Sequence, residues 1–131
     1  MPRVDTVCVV DDDPIYVFTT KQKLQIGNFC NNILIYKNGK EAFEAIKSLI
    51  LQDKSLPEII LLDLNMPVWD GWDFLDEFQS LQVNKKIAIY IVSSSDNPDD
   101  IARSKSYHFV NNFIIKPITI EKLDEELAKL N

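Results

Sequence analysis

Residues 59–67 read IILLDLNMP, a run of four large apolar side chains that stops at Asp63. A short apolar run without polar alternation is typical of a strand that is buried on both faces of a parallel sheet. Four other runs rich in Val and Ile have the same character, at residues 6–10, 33–36, 87–92 and 113–115. The sequence therefore predicts five buried strands.

The segments between these runs have helical periodicity. Apolar residues recur on one helix face in residues 42–50 and 74–81, and again in residues 120–130 after the last run. The helices near residues 15–26 and 99–107 have weaker patterns. The pattern predicts one α/β domain over residues 1–131, a doubly wound five-stranded parallel sheet of (βα)5 type. N-cap side chains precede four of the helices, namely Asp13 before Pro14, Asn38, Asp70, and Asn97 before Pro98.

The composition is that of an acidic globular domain. Hydrophobic residues make up 46% of the 131 residues, enough for a core. The formal net charge of −6 repels phosphate backbones, so we expect no direct nucleic-acid binding. No apolar run is long enough to span a bilayer, so we expect no membrane insertion. Cys8 and Cys30 make no disulfide framework or metal motif, which favours a cytoplasmic location.

Charged and hydroxyl side chains follow four of the predicted strands. The first strand ends in an aspartate run at 11–13, the third in Asp63, the fourth in Ser93 and the fifth in Lys116. Taken alone, an aspartate run is usually a solvated turn, and serines are common in loops. Because the carboxyl ends of parallel strands meet at one edge, where doubly wound sheets bind ligands, their convergence indicates a functional site.

The chemistry of this set of side chains is specific. Clustered carboxylates repel one another, and Mg²⁺, with Mn²⁺ as the possible alternative, would relieve the repulsion among Asp11, Asp12 and Asp63. Lys116 adds a second positive charge. A carboxylate beside Mg²⁺ can attack a phosphoryl group while the metal and the lysine balance charge on the equatorial oxygens, and Ser93 can donate a hydrogen bond to one of them.

Four stretches resemble the response-regulator receiver family, the CheY-like proteins. They are VVDDDP at 9–14, ILLDLNMP at 60–67 with Asp70-Gly71, IVSSS at 91–95, and IIKP at 114–117. The resemblance covers nearly the whole chain and implies a flavodoxin-like sheet with strand order 2-1-3-4-5. Since no output domain follows the last helix, we expect a stand-alone receiver domain.

The resemblance implies a role for each acidic residue of the site. Asp63 matches the phosphoacceptor of the family. Asp12 matches a direct metal ligand, and Asp11 matches its partner, which commonly acts through water. Asn65 matches the position whose backbone carbonyl binds the metal, and Asp63 itself completes the implied ligand set.

The resemblance also implies how phosphorylation is read out. Lys116 matches the phosphate-contacting lysine, joined to Pro117 by a peptide bond that is usually cis. Ser93 matches the switch hydroxyl and Phe113 the switch aromatic, which lacks the hydroxyl of the more common tyrosine. The nearby acidic run at Glu121, Asp124, Glu125 and Glu126 is interpreted as an ordinary solvated helix surface.

The implied function is that of a two-component response regulator. A sensor histidine kinase or a histidine phosphotransfer protein would supply a phosphohistidine, and Mg²⁺-dependent transfer to Asp63 would switch a face that binds a downstream protein target. Such a protein catalyses its own phosphorylation and dephosphorylation but acts mainly as a signalling switch.

Three other functions are open from the residues. A pseudo-receiver would bind partners without phosphorylation, although the acidic and basic site residues are all present. An aspartate-nucleophile phosphatase of the haloacid dehalogenase type would carry a second acid two residues after the nucleophile, where this chain has Asn65. A flavodoxin-like FMN binder would need a phosphate-cradling loop after the first strand, where this chain has three aspartates.

Overall fold

Five strands and five helices alternate along the part of the chain that the computed structural model describes, residues 2–81 and 86–130. This alternation confirms the predicted (βα)5 pattern. The strands are β1 Val4–Val10, β2 Cys30–Tyr36, β3 Ile59–Leu62, β4 Ala88–Ser93 and β5 Val110–Ile115. The helices are α1 Pro14–Ile26, α2 Gly39–Leu51, α3 Gly71–Phe78, α4 Pro98–Ser104 and α5 Ile120–Ala128.

The strands form one parallel sheet in the order β2-β1-β3-β4-β5. This is the predicted order, so the flavodoxin-like fold class is confirmed. The central strand β3 pairs with β1 and β4, and all of its residues are buried. An apolar run with no polar alternation, as in residues 59–62, is what this central position requires.

Helices cover both faces of the sheet. Leu24 of α1 and Leu123 of α5 belong to the apolar core on one face. Ile46 of α2 and Phe74 of α3 belong to the core on the other face. Because each strand contributes alternate side chains to the two cores, the sheet is buried between two helical layers. No helix in the described residues is long and apolar enough to cross a membrane.

Both edge strands are longer than the apolar runs that predicted them. Strand β2 begins at Cys30 rather than Ile33, and β5 begins at Val110 rather than Phe113. Each added segment carries asparagines, which an edge strand tolerates because one of its sides has no neighbouring strand. In β5 the Asn111 side chain is used in the sheet, since its oxygen accepts the Ile89 N–H at 3.1 Å, beside an irregularity in the β4–β5 pairing.

Three helices, α3, α4 and α5, end earlier than predicted. In each case the chain continues through a tighter turn with hydrogen bonds between residues three apart, such as Leu81 N–H to the Phe78 carbonyl at 3.0 Å and Tyr107 N–H to the Ser104 carbonyl at 3.2 Å. Leu81 and Tyr107 still pack in the core. The apolar pattern therefore extends beyond the end of the regular helix.

The acidic run on α5 is only partly solvated, which corrects the interpretation of Glu126. This carboxylate is 3% exposed and accepts hydrogen bonds from Asn112 of β5 and from Lys129, each at 3.0 Å. Burial alone would raise the pKa of Glu126, but these two donors lower it overall. Glu126 is thus a charged residue that ties α5 to the sheet.

Candidate functional site

Three carboxylates meet at the carboxyl ends of two neighbouring strands. Asp11 and Asp12 follow β1, and Asp63 follows β3. The last residues of these strands, Val10 and Leu62, are paired, which places the aspartates side by side. One oxygen of each carboxylate lies within 4.8 Å of the others. Asp11 and Asp63 are buried and Asp12 is exposed, so the cluster opens to solvent on one side.

Lys116 reaches this cluster from the end of β5. Its peptide bond to Pro117 is cis, as predicted, and its backbone N–H donates to the Ser93 carbonyl at 2.8 Å. The Nζ atom donates to Asp11 Oδ2 at 2.8 Å and lies 3.8 Å from Asp63 Oδ1. The predicted convergence of Asp11, Asp12, Asp63 and Lys116 is therefore present in the fold.

The site holds more negative charge than one lysine offsets. Burial, and then the charge on Asp11, raise the pKa of Asp63 from its ordinary 3.8 to about 6, although Lys116 opposes the shift. Burial alone would lower the pKa of Lys116, but its hydrogen bond to Asp11 and the charge on Asp63 raise it overall. The ammonium is therefore retained, and the carboxylates still lack a countercharge.

These residues fit a divalent cation with hard-ion preferences. Carboxylate oxygens are the ligands that Mg²⁺ and Mn²⁺ take, and their spacing lets a single ion contact several of them. Asp12 is the exposed carboxylate of the set, and its role as a direct ligand stays a prediction. Asn65 is exposed two residues after Asp63, and the use of its backbone carbonyl as a ligand stays a prediction.

The loop after Asp63 is fixed by backbone contacts. The Leu64 N–H donates to Asp63 Oδ1 at 2.9 Å, and the Gly71 N–H donates to the Leu64 carbonyl at 3.0 Å. The Gly39 N–H at the start of α2 donates to the Trp69 carbonyl at 3.0 Å. Trp69 is half-buried. The loop after Asp63 is thus held between α2 and α3.

Among the described residues the Ser93 hydroxyl makes no hydrogen bond to the charged cluster, and Phe113 lies on the neighbouring strand β5. Ser93 ends β4, is buried, and accepts the Ser95 N–H on its Oγ at 3.1 Å. Ser95 in turn donates to Asp100 of α4 at 2.8 Å. Phe113 is half-buried in β5 against the core that includes α3. The loop that starts at Ser93 is therefore linked by hydrogen bonds to α4.

One neighbour of the site was missed by sequence reasoning. The ring of Tyr16, on the first turn of α1, has its centroid 4.0 Å from Lys116 Nζ. The available signal was an aromatic residue four positions after Asp12, in a helix that begins beside the site. That signal alone does not say which residue the ring meets, because the contact spans the sequence from α1 to β5.

Comparison with known proteins decides the family. The family model of the response regulator receiver domain matches residues 7–128. This chain belongs to that family. The receiver-domain family takes part in two-component signalling, interacts with histidine kinases or histidine phosphotransfer proteins, and binds Mg²⁺ or Mn²⁺. The phosphatase and FMN-binding alternatives are set aside by this membership.

Relatives of this receiver domain span archaea and bacteria. A solved two component response regulator from Cytophaga hutchinsonii is 27% identical with a TM-score of 0.88, covering 98% of this chain and 97% of that one. The phosphorylated cyanobacterial phytochrome response regulator RcpA is 28% identical with a TM-score of 0.76, covering 96% and 90%. The probable methanogenesis regulatory protein FilR2 of Methanothrix harundinacea is 26% identical over 124 residues, 95% of this chain and 79% of that protein. The receiver fold thus extends over nearly the whole of this chain.

Proposed function

We propose that Asp63 is the phosphoacceptor of this receiver domain. The observation that supports it is the placement of a buried carboxylate beside a second carboxylate, with Lys116 Nζ 3.8 Å from its oxygen. Burial removes water from around the oxygens that would attack, and the nearby ammonium offsets charge on an incoming phosphoryl group. Asp11 and Asp12 lie on the side of Asp63 where a divalent cation would bind.

The transfer itself is a displacement at phosphorus. An oxygen of the Asp63 carboxylate forms the new bond to phosphorus, the bond from phosphorus to the imidazole nitrogen of the donor breaks, and the imidazole leaves with that electron pair. Lys116 neutralises charge on the phosphoryl oxygens. The divalent cation, when bound to Asp11, Asp12 and Asp63, supplies further charge compensation to those oxygens. Residues 1–131 act in this scheme as a single receiver domain.

The readout that we propose begins at Ser93. Its hydroxyl now accepts the Ser95 N–H, and a phosphoryl oxygen on Asp63 would offer it a stronger, charged acceptor. A shift of Ser93 would disturb the Ser95 contact and hence the Ser95–Asp100 hydrogen bond to α4. Phe113 packs half-buried on the same sheet and follows by packing alone. The downstream target is a protein that reads this α4–β5–α5 face.

The phosphodonor must bring its imidazole to Asp63 and therefore covers the adjacent end of α1. Ile15 and Phe18, in the first turns of that helix, are 75% and 59% exposed. Apolar side chains in such a position favour a protein partner over a small molecule. Both cysteines are free, which agrees with an interaction between donor and receiver domain in a reducing cytoplasm.

Labelling with acetyl phosphate in Mg²⁺ tests the role of Asp63. We expect one hydroxylamine-sensitive phosphoryl group in the natural sequence and none in Asp63→Asn. Asp53→Asn is the matched control, because Asp53 is exposed and has a φ of 53°, which asparagine also tolerates. Full labelling of Asp63→Asn would exclude the proposed role.

Metal and donor binding are tested separately. Calorimetry should detect Mg²⁺ binding that is lost in Asp12→Ala, and unchanged binding would exclude the assigned ligand.

For the donor, Phe18→Ser should slow transfer from a phosphorylated donor protein. The equivalent change at Ile26, which is 85% exposed at the far end of α1, should leave that transfer unchanged. Equal effects at the two positions would place the donor elsewhere.

A further inference from the structure

The ring of Tyr16 is the third contact of the Lys116 ammonium. Nζ lies 2.8 Å from Asp11 Oδ2, 3.8 Å from Asp63 Oδ1 and 4.0 Å from the Tyr16 ring centroid. Tyr16 is held in place because its N–H donates to the N-cap carboxylate of Asp13 at 3.3 Å. A cation within about 6 Å of a ring centroid is attracted to the negative face of the ring.

The surroundings make this contact stronger than one on an open surface. The Lys116 side chain is only 16% exposed, so few waters solvate its ammonium. Burial raises the pKa of Tyr16, so the ring is a neutral phenol whose face attracts the cation through its quadrupole. A second link joins the same segments, because Lys23 Nζ of α1 donates to the Ile118 carbonyl at 3.0 Å. Helix α1 and the segment after β5 are therefore fixed to each other.

We propose that Tyr16 is a positioning residue that holds the Lys116 ammonium beside Asp63 during phosphoryl transfer. Asp11 is the closest partner of Lys116, yet it also belongs to the carboxylate cluster that a divalent cation would engage. An aromatic ring does not compete for that cation. It therefore keeps the flexible lysine in place when the oxygens of Asp11 are drawn toward the metal. This inference rests on the proposed role of Asp63.

A packing role for Tyr16 would predict something different. The ring also lies against the core beneath α1 and α5, so Tyr16→Leu would disturb packing and charge contact together. Phenylalanine keeps the ring, and successive fluorination at its 4-, 3,5- and 3,4,5-positions withdraws electron density from the ring face with little change of shape. Only a cation–π contact responds to the degree of fluorination.

The experiment compares this series at position 16 for the rate of labelling by acetyl phosphate in saturating Mg²⁺. Tyr16→Phe should label at nearly the natural rate, and the rate should fall stepwise to about a third to a tenth in the trifluoro variant. In metal-free protein, the Lys116 ε-methylene protons should be shifted upfield by the ring and should move along the series. The unfolding midpoint should be the same for each variant of the series.

The same fluorinated residues at Tyr36 are the matched control. Tyr36 is also a half-buried tyrosine, at the end of the neighbouring strand β2, and among the described residues no cation lies over its ring. If the labelling rate does not change with fluorination at position 16, or changes equally with fluorination at position 36, the role of Tyr16 alone is overturned. Failure of the natural sequence to label at Asp63 overturns the proposed function and this inference with it.

Discussion

A β-carbon on Gly71 would lie 2.5 Å from the carbonyl oxygen of Asp63. Helix α3 therefore packs directly on the backbone of the proposed phosphoacceptor, and Gly71→Ala must displace one or the other. We expect a loss of about 1–3 kcal/mol in the free energy of unfolding, measured with urea, and slower acetyl phosphate labelling. In Gly27→Ala the new atom would meet the flexible Ile120 side chain and the Lys23 carbonyl, each at 3.2 Å, so the loss should be smaller. Equal losses would contradict the close approach at Asp63.

The charge on Asp63 destabilises the metal-free fold. Its pKa is raised to about 6 from an ordinary 3.8, so between these pH values the folded state binds more protons than the unfolded state. The free energy of unfolding therefore falls as pH rises through this window. Without divalent cations, Asp63→Asn should exceed the natural sequence in stability by on the order of 2–3 kcal/mol at pH 7.

That difference should vanish below about pH 3, where Asp63 is protonated in both states. It should also shrink when Mg²⁺ is added at pH 7. Urea titrations at several pH values, with EDTA or Mg²⁺, measure both trends. A difference between the two proteins that is independent of pH would show that the Asp63 charge carries no such cost.

Val68 has a φ of 68°, in the left-handed region that β-branched residues avoid. Its side chain is 72% exposed, so little burial is lost on replacement. We expect Val68→Gly to raise the free energy of unfolding by about 1 kcal/mol. Asn28→Gly, at a φ of 48°, should gain less because asparagine already tolerates this region. A stability loss in Val68→Gly, by urea unfolding, would mean that the backbone there is unstrained.

Trp72 reports on the contact between α3 and α4. The Arg103 guanidinium of α4 lies 4.4 Å from its ring centroid, and Tyr107 stacks on it at 5.9 Å. Movement of α4 should therefore change Trp72 emission. In a Trp69→Phe background, beryllofluoride with Mg²⁺ should alter the emission, and adding Ser93→Ala should suppress the change. If emission responds equally with and without the Ser93 hydroxyl, the proposed route through Ser93 is wrong.

Buried strands were predictable because burial itself leaves a pattern. The limits of β3 agree with its apolar run, since both faces of the central strand are covered. The edge strands were predicted too short because Asn32 and Asn112 serve positions that an apolar pattern does not mark. The apolar periodicity of helix α1 was weak because Ile15 and Phe18 are exposed to solvent, on the helix face where polar residues are usual.

The charged part of the site was also predictable, for a topological reason. The ends of parallel strands meet at one edge, so Asp11, Asp63 and Lys116 converge whatever the side-chain details. The Tyr16 contact was not predictable in this way. It depends on the angle at which α1 crosses the segment after β5, and that angle is set by packing between residues distant in the sequence.

The buried carboxylate of Glu126 determines which parts of this side of the molecule can move. Sliding α5 along β5 would separate Glu126 from Asn112 and break the hydrogen bond that joins this buried carboxylate to the sheet, although Lys129 would move with it. Strand β5 and helix α5 therefore resist movement relative to each other. Helix α4 is attached to the neighbouring loop by Ser95 and Asp100, an exchangeable hydrogen bond between short side chains. A protein that docks here would meet a fixed backbone at β5 and α5 and a movable one at α4. The position of α4, together with the Phe113 side chain on β5, would indicate whether Asp63 carries a phosphoryl group.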